Sequence, residues 1–99
     1  VDPKKRMLFD PNESIQLQGF TGPFIQYTHA RIRAILRKAA SMNISVDVNA
    51  FNDVANLEKA EREVIQVLSM LENKLKEAAK DYSPAVIANF AYSLAKQYN

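Results

Sequence analysis

Between Thr21 and Arg33 the chain reads TGPFIQYTHARIR. Within this run stand an amide (Gln26), a phenol (Tyr27), an imidazole (His29) and two guanidinium groups (Arg31 and Arg33), with no acid among them. The set is poor in acid–base chemistry. His29 is the only histidine and there is no cysteine, so neither a histidine cluster nor a thiolate can hold a metal. Asp10 and Glu13 are close in sequence, but one such pair arises readily by chance. Gly19 and Gly22, the only two glycines, cannot build a glycine-rich phosphate loop. An active site wholly within these residues is therefore disfavoured, and no residue is assigned a catalytic role.

Recognition suits the same residues better. On a 3.6-residue helix Tyr27, Arg31, Ala34 and Lys38 follow one another at i, i+4, i+7 and i+11. An aromatic ring flanked by cations along one stripe fits single-stranded nucleic acid: the ring stacks on a base, worth about 1–3 kcal/mol, and the cations meet phosphates. The plainer alternative leaves Tyr27 half-buried at the edge of a core, with its hydroxyl satisfied by water. His29 lies on the opposite flank, near Arg33 and Leu36, where a lone histidine is more commonly a packing or hydrogen-bonding residue.

Charge distribution bears on the choice. Net charge is +2, but residues 1–46 carry seven Lys/Arg against three Asp/Glu, and residues 47–99 carry six against eight. From Ser14 to Val46 there is no acid, and Arg31, Arg33, Arg37 and Lys38 all fall in that window. A solvated helix face and a phosphate-contacting surface both account for this.

These side chains need elements to carry them. A chain of 99 residues, 47% of them apolar, is enough for one small domain. The lack of cysteine excludes a disulfide scaffold and fits a reducing compartment. No apolar run approaches the roughly 20 residues that span a bilayer, and Asp2, Lys4, Lys5 and Arg6 stand where a secretory signal would be apolar. The chain opens at Val1 and closes at Asn99 without a glycine stop, which suggests a piece of a longer protein.

Residues 1–20 read as an irregular arm or linker, since Pro3 and Pro11 discourage helix and Ser14–Gln18 alternates like a short extended piece. A first helix is expected from Gly22 or Pro23 to about Ser41, capped by Thr21. Its core stripe is Phe24, Thr28, Ile32, Ile35 and Ala39, widened by Ile25 and Leu36. Residues 42–56 read as a loop rich in Asn, Asp and Ser. A second helix is expected over Leu57–Lys80, with outer pairs Glu58–Arg62 and Glu72–Lys76. Ser83-Pro84 restarts the chain into a third, with Ile87, Phe90, Ala91, Leu94 and Tyr98 inward. Tyr82, Tyr92 and Tyr98 read as core-edge aromatics, and Met7, Met42 and Met70 as gap fillers. The sum is an all-α, antiparallel bundle of about three helices behind an irregular N-terminal arm.

The runs DPKKRMLFDPNESI and GFTGPFIQYTHARIRAILRKA closely resemble arginyl-tRNA synthetases. In that family D-P-x-K-x-M-x-F-[DN]-P leads through G-[NDF]-T-G-P-[FY]-[IL]-Q-Y-x-H-[AS]-R-[IL], marking the passage from the catalytic domain to the helical anticodon-binding domain. LEKAEREVIQVLSMLENKLKEAA and YSPAVIANFAYSLAKQYN look like the remainder of that domain, so the resemblance covers nearly the whole chain. It implies a class I synthetase anticodon-binding bundle over 21–99, truncated at its C-terminal end, with 1–20 as the linker from the catalytic domain.

The function it implies is cytoplasmic: binding the anticodon loop of the tRNA for arginine, beside the catalytic domain of the parent chain and away from membranes. The parent would use ATP and Mg²⁺; its HIGH-type and KMSK-type signatures are absent here, so this stretch carries neither the catalytic site nor a cofactor of its own. The family's motif tyrosine contacts anticodon-loop nucleotides and matches Tyr27. Arg31 matches its arginine, with a phosphate or structural role, while Gln26 and His29 support the helix surface and Arg33 and Lys38 add charge. Surface left bare by missing helices could make the piece associate with itself. Set against this stands a purely structural helical docking module without RNA contacts.

Overall fold

The computed structural model describes residues 4–47 and 56–99. Among them the secondary structure is entirely helical: α1 (Pro11–Ser14), α2 (Gly22–Ser41), α3 (Lys59–Ser69), α4 (Leu71–Lys80) and α5 (Pro84–Tyr98). The all-α class is as expected. One predicted helix is two, and one appears where none was predicted.

The extra helix is the single turn α1. Asp10 accepts from the backbone N–H groups of Asn12 (2.9 Å) and Glu13 (3.3 Å), and Pro11 occupies the first position, where its missing N–H costs nothing. The same Asp-Pro pair that reads as helix-breaking is here a helix start.

Helix α2 has the expected bounds. The Thr21 hydroxyl accepts from the Phe24 N–H at 3.2 Å and donates to the Gln16 carbonyl at 2.6 Å, so one side chain caps α2 and ties down the arm before it. The helix stops in a Schellman turn: Ile44 N–H donates to Ala39 O and Asn43 N–H to Ala40 O, with Asn43 left-handed at φ 56°. The expected loop is described at 42–47 and 56 only; its middle lies outside the described residues.

The predicted helix over 57–80 is interrupted at Met70. The Ser69 hydroxyl takes the Gln66 carbonyl at 2.6 Å, and the Met70 N–H turns to Val67 O, one residue short of the α-helical partner. Lys74 N–H to Met70 O then resumes the ladder as α4. The expected outer pair Glu72–Lys76 forms at 2.8 Å. At the start of α3 the Glu58 N–H donates to the Glu61 carboxylate at 2.8 Å. A second Schellman turn ends α4, with Ser83 N–H on Ala78 O, Tyr82 N–H on Ala79 O, and Tyr82 left-handed at φ 48°. Ser83 stands at the cap position of α5, but its hydroxyl makes no capping bond.

Helix α5 is the hub, packing on α2, α3 and α4. It runs antiparallel to α3 and α4: Gln97, at its end, donates to Glu63 on α3 at 2.8 Å, while Val86, near its start, shares a groove with Glu77 on α4. Helix α2 lies along α5 in the same direction. The Phe20 and Phe24 rings meet Tyr92 at 4.5 and 5.3 Å, and Thr28 and Arg31, further on, meet Asn99.

Among the described residues the buried apolar ones are Ala78, Ala85, Phe90 and Ala95, with Thr28 as the buried polar one. Much of each predicted stripe is exposed: Ile35 and Leu36 on α2, Leu71 and Leu75 on α4, Ile87 on α5. The methionines expected to fill gaps, Met7, Met42 and Met70, are exposed as well, and so is Tyr82. The radius of gyration, 16.7 Å, exceeds the roughly 13 Å of a compact chain of this length.

Candidate nucleic-acid interface

The residues singled out by their chemistry all lie on α2, and the helix sorts them into two groups. Tyr27, Arg31 and Lys38 share one stripe; Gln26, His29 and Arg33 share another, on the far side of the buried Thr28. All six are exposed, whereas Thr28 retains 3% of its accessible surface. The spacing therefore places them as expected.

Tyr27 is 47% exposed, intermediate between a free platform and a core-edge ring. The Arg31 guanidinium carbon lies 5.9 Å from its ring centroid, within cation–π range. Lys38 sits two turns further on, in the last turn of α2, where a cation is favoured by the helix dipole. Arg33 and Arg37, one turn apart, add charge to the other stripe. Lys59–Glu63, Lys74–Glu77 and Lys76–Glu72 form ion pairs on α3 and α4, where the acids are concentrated.

Arg31 is more constrained than its position on an exposed face suggests. One terminal nitrogen donates to Asn99 Oδ1 at 2.6 Å. Asn99 Nδ2 donates to Thr28 Oγ1 at 2.6 Å and to the Ala95 carbonyl at 2.9 Å. Thr28 Oγ1 in turn donates to the Phe24 carbonyl at 3.1 Å. Thr28 is legible in the sequence as a stripe position, but nothing in one sequence pairs Asn99 with residues about 70 positions earlier.

This face can stack, attract phosphate and accept or donate hydrogen bonds. Among the described residues, no group of three or more His, Cys, Asp or Glu could hold a metal ion. Nor is any described helix long and apolar enough to cross a membrane.

The family model described as the DALR anticodon binding domain matches residues 25–99. The full length of the chain is similar to proteins named arginine–tRNA ligase. It is 51% identical over 104 residues to that of Amoebophilus asiaticus, 50% identical over 99 residues to that of Parabacteroides distasonis, and 48% identical over 99 residues to that of Flavobacterium psychrophilum. The match covers 100% of this chain in each case but 16–17% of the relative, so the chain spans about a sixth of the length of these proteins.

Proposed function

The chain belongs to the DALR anticodon-binding domain family, and from that premise we propose that it is the anticodon-loop-binding part of an arginine–tRNA ligase, with α2 as the RNA-facing element. The observation that carries the reading is the half-exposed Tyr27 ring with the Arg31 guanidinium 5.9 Å from its centroid, on a helix without acids. An unstacked anticodon base lies on the ring. Arg33 and Lys38 draw the loop's phosphates, and Gln26 and His29 supply hydrogen bonds at the margin. Holding the anticodon in this way fixes where the distant acceptor end can reach.

The whole enzyme would join arginine to its tRNA in the cytoplasm using ATP and Mg²⁺. The residues present do not fit that chemistry, so no step of it is derived for them. The division into an arm (1–20) leading from the catalytic domain and a binding domain (21–99) is supported by the Thr21 cap. Phe20, packed against Tyr92, then anchors the end of the arm. Exposed apolar side chains on α2, α3 and α4, including Ile35, Leu36, Ile65 and Leu71, favour self-association of the isolated chain.

The test is a titration against the anticodon stem-loop of an arginine tRNA and against the same hairpin with a changed anticodon, at two salt concentrations. Tighter, salt-sensitive binding to the unaltered loop is expected, since phosphate contacts release counterions. Equal affinity for both hairpins would reduce the face to a generic basic surface. One observation favours the structural-module alternative: Arg31 and Thr28 bridge α2 to Asn99 at the end of α5. That alternative requires Tyr27→Ala to lower stability and leave affinity per folded molecule unchanged. Our reading requires the reverse, with affinity falling about 5- to 150-fold for the loss of one stacked base.

A further inference from the structure

The side chains joining α2 to α5 form a directed relay. Thr28 Oγ1 gives its single proton to the Phe24 carbonyl, so toward Asn99 it can only accept. Ala95 O can also only accept. Both demand the amide nitrogen of Asn99, and both are met by Nδ2, at 2.6 and 2.9 Å. The orientation of the amide is thereby fixed, and Oδ1 must point away from the buried threonine. There it accepts from Arg31 at 2.6 Å, and the guanidinium is held beside the Tyr27 ring. An isolated arginine on a helix surface would sample many rotamers, and a phosphate would recruit it from among them. This one is already engaged through a chain of bonds that begins at a residue 3% exposed.

We infer that Thr28 and Asn99 hold the Arg31 guanidinium against Tyr27, which makes Arg31 a positioning residue for the stacking ring rather than a phosphate ligand. The inference rests on the reading of Tyr27 as the base platform. It divides the labour on α2: the α5-anchored half presents an ordered ring, and phosphate attraction falls to Arg33, Arg37 and Lys38. Ordering the ring before RNA arrives reduces the side-chain entropy lost on binding.

The experiment uses the 99-residue chain with Arg31→Ala, Asn99→Ala, the double variant, and Tyr27→Ala. The first readout needs no RNA: the ring resonances of Tyr27 by NMR. Arg31→Ala and Asn99→Ala should each shift them in the same sense, and the double variant no further. The second readout is affinity for the anticodon stem-loop as a function of salt. Each single variant should weaken binding about two- to fivefold, the worth of an exposed cation–π contact. The double variant should lose no more than one of them, and the salt slope should not change. A phosphate ligand would behave otherwise: Arg31→Ala would reduce the slope by about 0.7, as for one lost contact to a single strand, and Asn99→Ala would leave both ring and affinity alone. That result overturns the inference. If Asn99→Ala melts the end of α5, Asn99→Leu serves instead, since it keeps the side chain's bulk and helix propensity and removes both the amide nitrogen and the oxygen that Arg31 meets; ring signals unmoved by it would equally overturn the relay. Should Tyr27→Ala leave affinity intact, the stacking reading fails on its own, and the ring resonances still decide whether the relay exists.

Discussion

Tyr82 should be a place where a larger residue is worse than none. It occupies the left-handed position of the Schellman turn between α4 and α5, at φ 48°, and its side chain is 91% exposed. A residue with a Cβ pays about 1–2 kcal/mol for that conformation, while glycine adopts it without strain. Replacing Tyr82 by Gly forfeits almost no packing, because almost none exists. Against the relief stands the greater freedom of glycine in the unfolded chain, about 0.5–1 kcal/mol. The balance is a net stabilisation of about 0.5–1 kcal/mol, and Tyr82→Asn should gain part of it. For a domain of this size that corresponds to a rise of about 2–8 °C in Tm. Thermal melts followed by circular dichroism at 222 nm measure it, with Tyr82→Ala as the control that removes the ring and keeps the Cβ. If Tyr82→Gly melts at or below the unaltered chain, the corner is not strained as its dihedral implies, or the ring has a contact that its exposure conceals. RNA affinity per folded molecule should be unaffected, since Tyr82 lies at the opposite end of α5 from Asn99.

Phe90→Ala should be the most damaging single change, because Phe90 is the one large side chain in the buried set; a loss of about 3–5 kcal/mol is expected. Helical ellipticity should collapse, since the other buried apolar side chains among the described residues are alanines. Thr21→Ala removes the cap of α2 and the bond to Gln16 together, and should cost about 1 kcal/mol in denaturant titrations; Thr21→Ser should recover most of it. Lys38→Ala should lower the salt slope of stem-loop binding by about 0.7 without changing discrimination between anticodons. Unchanged slope would remove Lys38 from the interface.

How much of this was legible in the sequence depended on whether the signal was local. Helix α2 could be bounded within a residue because its start is written in Thr21 and Pro23 and its end in Asn43, residues whose backbone preferences act in place. The break at Met70 could not. No glycine or proline marks it, the apolar stripe passes through it from Val67 to Leu71, and its cause is a serine hydroxyl competing for a carbonyl. Asp10-Pro11 misled in the other direction, since the residues that end a helix in one register begin it in another. Periodicity named faces that can be buried, but it did not say what covers them: Ile35, Leu36 and Leu75 keep the period and are exposed. The site divides in the same way. One helix face is a matter of spacing, so the alignment of Tyr27, Arg31 and Lys38 along α2 was recoverable. The partner that fixes Arg31 arrives from the far end of the chain and was not.

The direction of α2 connects these facts to function. Thr28 and Arg31, on the first half of α2, meet Asn99 of α5, and ten residues of α2 follow Arg31 over about 15 Å. Arg33, Arg37 and Lys38 all fall on that second half, and the apolar Ile35 and Leu36 are exposed beside them. Charge on an exposed helix face is solvated and attracts phosphate from several directions, with little geometric demand. Tyr27 lies on the anchored part, where α5 fixes its surroundings. Affinity and discrimination make opposite demands on rigidity, and on the function proposed above α2 serves the first through Arg33, Arg37 and Lys38 and the second through Tyr27.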